Sequence, residues 1–118
     1  KCPALVYLDC CENQLTSLDV SGCTALEYLN CSYNQLTSLD VSKCPALEYL
    51  NCSHNQLTSL NISGCTALET LWCYYNQFSA SAMNKIYNDL PSSGGELFCD
   101  RLGDYSIAER KGWGTFYN

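Results

Sequence analysis

The sequence predicts an α/β solenoid, with short parallel strands on a concave face, an extended or 3₁₀ convex side and a helical C-terminal cap. Three observations carry that expectation. Cysteines recur every 21 residues, at Cys2, Cys23, Cys44 and Cys65 and again at Cys10, Cys31, Cys52 and Cys73. The units opening at Cys23 and Cys44 are nearly identical, CTALEYLNCSYNQLTSLDVSK against CPALEYLNCSHNQLTSLNISG. Past Phe78 the repetition stops and a helical apolar pattern replaces it.

Within each unit the pattern is L-x-x-L-x-C-x-x-N-x-L-x-x-L-x-V, filled in the second by Leu26, Leu29, Cys31, Asn34, Leu36, Leu39 and Val41. A fixed period of this length with this signature is that of a leucine-rich repeat. Tyr28 to Ser32 alternates outward and inward, as a strand lining a coil must. Asn34 sits where the chain turns away, and its amide can both donate to and accept from backbone groups the turn leaves unpaired. Stacking makes Asn13, Asn34, Asn55 and Asn76 an asparagine ladder, and Cys10, Cys31, Cys52 and Cys73 a cysteine ladder. The T-S-L-D-V-S segment then runs extended or as 3₁₀, since 21 residues leave no room for a full helix.

Residues 1–78 thus form about four coils without an N-terminal cap, whose raw edge invites self-association. Residues 79–118 form a cap on the last coil, within the same domain. Met83, Ile86, Tyr87 and Leu90 follow helical spacing, with Ser79 or Ser81 as N-cap and Pro91 as the stop. Ser92 to Gly95 reads as a turn and Glu96 to Asp100 as a further strand. A second helix is expected between Asp104 and Gly112, and Trp113, Phe116 and Tyr117 are expected to seal the stack.

Composition excludes several classes. The chain has 118 residues, 47% hydrophobic, enough for one packed domain. Twelve acids against six bases, net −6, argue against nucleic acid and anionic membranes. No apolar run approaches the roughly 18 residues of a membrane span, so no direct insertion is expected. Neither a signal peptide nor an anchor is visible, and the start inside a repeat reads as a trimmed piece of a longer chain.

The cysteines invite metal and disulfide readings. No C-x₂-C pair exists, and Cys52 and His54 lie on opposite sides of their strand, so no metal is expected. Adjacent coils bring like cysteines to about 4.8 Å, but in-register side chains keep their Cβ atoms too far apart for a relaxed bridge. Reduced, core-filling ladders are the expectation. Cys11 alone faces outward at the open end, where it could crosslink. No cofactor is expected either. The one histidine has no nucleophile placed beside it, the Asp19, Asp40, Asn61 column lacks convergent calcium ligands, and no enzymatic constellation appears.

The cysteine-bearing unit resembles the internalins, bacterial surface proteins built of leucine-rich repeats. The unit L-x-x-L-x-C-S-x-N-Q-L-T-S-L-D-V-S-x-C is also similar to repeats in surface proteins of gut and oral anaerobes, whose tails resemble Asn76 to Ala80 and Ser106 to Trp113. The resemblance implies a secreted or surface-attached protein that binds a host or neighbouring-cell molecule.

Outward strand positions form the candidate binding face. The columns are Val6, Glu27, Glu48, Glu69; Tyr7, Tyr28, Tyr49, Thr70; Asp9, Asn30, Asn51, Trp72; Cys11, Ser32, Ser53, Tyr74; and Glu12, Tyr33, His54, Tyr75. The tyrosine column serves equally as a ladder supporting the sheet. Trp72, Tyr74 and Tyr75 break the consensus, which marks them for contact with a partner; Trp72→Ala or Tyr75→Ala is expected to abolish binding while hardly moving thermal stability. The reading is a non-enzymatic protein-binding or adhesion module. A structural spacer and a glycan-binding module stand beside it, because the two middle units differ outwardly only at Tyr33 against His54.

Overall fold

The computed structural model describes residues 2–117. Each coil contributes one three-residue strand to a parallel sheet: β1 (Tyr7–Asp9), β2 (Tyr28–Asn30), β4 (Tyr49–Asn51) and β6 (Thr70–Trp72). On the opposite side β3 (Ser38–Asp40) and β5 (Ser59–Asn61) pair as a second parallel sheet, so the convex segment is extended rather than 3₁₀. The register is that of the repeat: Tyr7, Tyr28, Tyr49 and Thr70 are successive partners, as are Leu8, Leu29, Leu50 and Leu71.

Between the sheets lies one apolar core. Leu26, Leu29, Leu36, Leu47, Leu50, Leu57, Leu68 and Leu71 are fully buried, and Cys31, Cys44, Cys52, Cys65 and Cys73 fill the narrower gaps beside them. Two expectations fail at the open end. Cys2 is exposed and Cys10 half-buried, as are Leu5, Leu8, Leu15 and Leu18. The physical reason is simple: among the described residues no coil packs beneath them to exclude water.

Beyond the last coil, Ser79 caps α1 (Ala80–Asp89) by accepting from Ala82 N–H at 3.1 Å, which decides between the two candidate serines. Met83, Ile86, Tyr87 and Leu90 are buried, and the chain leaves the helix just before Pro91. Then β7 (Gly95–Cys99), α2 (Ser106–Arg110) and β8 (Trp113–Tyr117) follow. Both strands join the concave sheet in parallel, giving the order β1-β2-β4-β6-β7-β8. Cys99 therefore falls in line with Cys73 and extends the strand ladder, although its position breaks the 21-residue period.

The ending expected of the three aromatics holds in part. Trp113 is buried, its indole N–H donating to Pro91 O at 2.7 Å. Its ring lies so close over Gly95 that a Cβ there would come within 2.8 Å of the ring and 2.3 Å of Glu69 O. Phe116 instead points out of the concave face, because strand alternation places it beside Phe98.

Candidate binding face

The asparagine ladder fixes the turn from which the face is built. Asn55 Nδ2 donates to the carbonyls of Cys31, Cys52 and Ser53 at 3.0–3.2 Å, while its Oδ1 accepts the Leu36 N–H at 3.0 Å. Asn34 and Asn76 repeat the arrangement one coil either side. Asn13 is exposed and, among the described residues, reaches the carbonyls of Cys10 and Cys11 alone.

The residue before each ladder asparagine adopts a left-handed backbone, with φ of 57° at Glu12, Tyr33 and Tyr75 and 55° at His54. That conformation costs a non-glycine residue about 1–2 kcal/mol and persists only where surroundings impose it. Here the next coil imposes it: Glu12, Tyr33 and His54 donate their N–H groups to Ser32, Ser53 and Tyr74 carbonyls. Tyr75 has no further coil of this kind, and its N–H is taken by Asp100 Oδ2 at 3.0 Å. The twist throws these side chains onto the rim of the face. The sequence carries no glycine or asparagine at the position to betray it.

Three stacks of three rings result. Tyr7, Tyr28 and Tyr49 stack at 4.2 and 4.6 Å between centroids. Tyr33, His54 and Tyr75 stack at 4.1 and 4.4 Å. Trp72, Phe98 and Phe116 stack at 3.8 and 4.9 Å. Tyr74 joins the third stack by its edge, 5.9 Å from Trp72 and 6.2 Å from Phe98. Exposure remains high at the ends, 58% at Tyr7, 54% at Tyr33, 49% at Tyr75 and 44% at Phe116. Glu48 and Glu69 stand exposed at the margin, in line with Glu27.

Two positions expected on the face are absent from it. Ser32 and Ser53 are buried, because the strand ends at Asn30 or Asn51 and the serine hydroxyl turns back to donate to that asparagine's Oδ1, at 2.7 and 2.6 Å. Phe98 and Phe116 are the residues missed from sequence. A signal existed, since Leu97-Phe98-Cys99 repeats the Leu71-Trp72-Cys73 triplet at an irregular interval.

The ten cysteines are free thiols. Burial pushes Cys31 and Cys65 up to about 12 and Cys99 up to about 11, and holds Cys52 and Cys73 well above the ordinary thiol value. Cys11 is raised first by its contact with the Asp9 carboxylate. Groups of three or more metal-ligating side chains do not occur among the described residues, nor does a helix long and apolar enough to cross a membrane.

The model of Leucine Rich repeats (2 copies) matches residues 3–44 and 45–91. Among solved structures, the functional domain of InlJ from Listeria monocytogenes, which includes a cysteine ladder, is 39% identical with a TM-score of 0.72. The match covers 90% of this chain and 24% of that chain, so the protein spans about a quarter of that relative's length. No curated protein matches the sequence. Repeat signature, parallel coil and cysteine ladder agree, and the chain belongs to the leucine-rich-repeat family, with an InlJ-like fold.

Proposed function

We propose that the chain is a non-enzymatic protein-binding module of a bacterial surface or secreted protein, engaging its partner through the concave face. One observation carries the reading. Trp72, Tyr74, Phe98 and Phe116 form a continuous aromatic block on the solvent side of the sheet, at the end where the repeat fails. Repetition alone does not explain rings that the other coils lack. Aromatic area of this kind supplies binding surface at low entropic cost.

Protein is favoured over glycan by how the rings are presented. Tyr28, His54 and Phe98, the middle rings of the three stacks, have both faces covered by neighbouring rings, so open faces are confined to the stack ends. A sugar ring needs an open aromatic face to lie on; a polypeptide surface can use edges and hydroxyls as well.

The test applies fluorescently labelled protein to epithelial and bacterial cells, intact, trypsin-shaved or glycosidase-treated, with Tyr75→Ala and Phe116→Ala in parallel. The reading expects binding that shaving removes and both variants weaken. Binding removed only by glycosidase would transfer the reading to a glycan. Failure to bind any surface would leave a spacer.

A further inference from the structure

We infer that the concave aromatic face receives a cationic, Lys/Arg-rich polypeptide segment; this rests on the protein-binding reading above and names the partner's chemistry. The concave strands, the residue that leads into each and the turns that follow them carry Asp9, Glu12, Glu27, Glu48, Glu69, Glu96 and Asp100. Of the six bases only Arg101 falls in those segments, which hold seven of the protein's 12 acids; it follows Asp100, and its guanidinium lies over the Tyr117 ring at 4.7 Å. Among the others, Lys43 follows a convex strand and Lys85 pairs with Asp89 on α1 at 2.6 Å. Among the described residues that pair on α1 is the only ion pair, so Glu27, Glu48, Glu69 and Glu96 stand without an internal counter-charge.

Their placement matters more than their number. Glu27, Glu48 and Glu69 occupy one column of adjacent coils, and Glu96 continues the neighbouring column after Tyr49 and Thr70. Strands about 4.8 Å apart set these like charges well within the roughly 8 Å Debye length of physiological salt. Like charges facing each other across a sheet are destabilising. The isolated chain therefore carries a self-repelling column immediately beside an exposed aromatic stack, and a cationic occupant would relieve that repulsion. Arg and Lys suit both halves of the surface: their stems cover ring edges while their head groups reach the carboxylates.

The test uses two synthetic peptides of equal length and equal Leu/Tyr content, one charged with Lys/Arg and the other with Glu, with binding mapped by NMR on the intact chain. The cationic peptide is expected to shift the signals of Trp72, Tyr49, Phe98 and Glu48, and the acidic peptide to shift none. A Glu48→Gln, Glu69→Gln, Glu96→Gln variant is expected to bind about tenfold more weakly at low salt, while itself becoming more resistant to denaturant. Phe116→Ala should also weaken binding. Equal binding of both peptides, shifts confined to the helices, indifference to Phe116→Ala, or undiminished binding by the triple variant would each overturn the inference. Cell-surface binding that Phe116→Ala removes but the triple variant retains would sink the cationic partner and leave the protein-binding reading standing.

Discussion

Replacing Asn55 by alanine isolates what the asparagine ladder contributes. Four hydrogen bonds are lost, yet they are unequal. The Cys31 carbonyl keeps the Asn34 amide, the Cys52 carbonyl keeps the Asn76 amide, and the Ser53 carbonyl keeps the Tyr33 N–H. Only the Leu36 N–H, at a residue with no exposure, is left with nothing to bond. One orphaned buried amide plus three weakened carbonyl contacts comes to about 2–4 kcal/mol. Asn34→Ala orphans Leu15 N–H, which is half-buried and can recruit water, so about 1–2 kcal/mol is expected. Asn13→Ala orphans no amide and should stay within about 0.5 kcal/mol. Urea denaturation of the three variants, with unchanged slope, gives the comparison. A flat series, or Asn13→Ala as costly as Asn55→Ala, would refute the reasoning. Asn55→Asp sharpens it further: the acceptor for Leu36 survives, but a carboxylate faces three carbonyl oxygens, so stability should be poor at neutral pH and partly recover in acid.

Other outcomes follow from the same structure. Trp72→Ala should destabilise measurably, contrary to what its place on the face suggests, because its ring lies 3.8 Å from Phe98; a double-mutant cycle with Phe98→Ala should give a coupling of about 0.5–1.5 kcal/mol. Tyr75→Ala, half exposed, should leave the melting temperature nearly unchanged, and a large loss there would contradict the geometry. Thiol reagents on the native protein should modify Cys2 and Cys11 first and Cys52, Cys73 and Cys99 only after unfolding; rapid labelling of the last three would disprove their burial. The raised thiols give a pH dependence with a definite sign. A thiol that ionises later when folded holds its full contribution below the unfolded value of 9.0 and loses it as pH climbs through the folded values of about 11 to 12. Stability should thus fall above about pH 9, and a rise there would reverse the argument. Gly95→Ala should destabilise by about 1–3 kcal/mol, since its Cβ meets a backbone oxygen that cannot move aside; a neutral effect in thermal melts would show that the close fit is absent.

The architecture was legible because every coil repeats one physical solution. A 21-residue period, inward leucines and a turn asparagine leave a single way to bury the apolar positions. Legibility failed where tertiary context took over from pattern. Ser32 reads as outward by alternation, but alternation lapses two residues after the strand does, and a hydroxyl–amide bond pulls it inside. Phe116 reads as a plug for the core because it is large and apolar near the end. Pairing of β8 with β7 decides its direction instead, and that register is not written in the period. The left-handed turn residues escaped notice for a different reason: backbone hydrogen bonds to the next coil override local preference, so Tyr33, His54 and Tyr75 occupy it in place of glycine. Trp72, Tyr74 and Tyr75 were recognisable as departures from consensus, but the rings that complete their cluster come from the cap.

Asp100 offers a last consequence. Its carboxylate stands where another coil would present a carbonyl, so the series of left-handed turns closes on a single side chain while the sheet runs on through β7 and β8. The middle coils carry no such stop, and each docks on the next in the same manner. Length is therefore an adjustable quantity: a duplicate of the unit from Cys44 to Gly64, spliced between neighbours, should be accepted without redesign and should add one more tyrosine and one more glutamate to the columns. Splicing the same unit after Asn76 should fail, because it would separate Tyr75 from the residue that closes its turn.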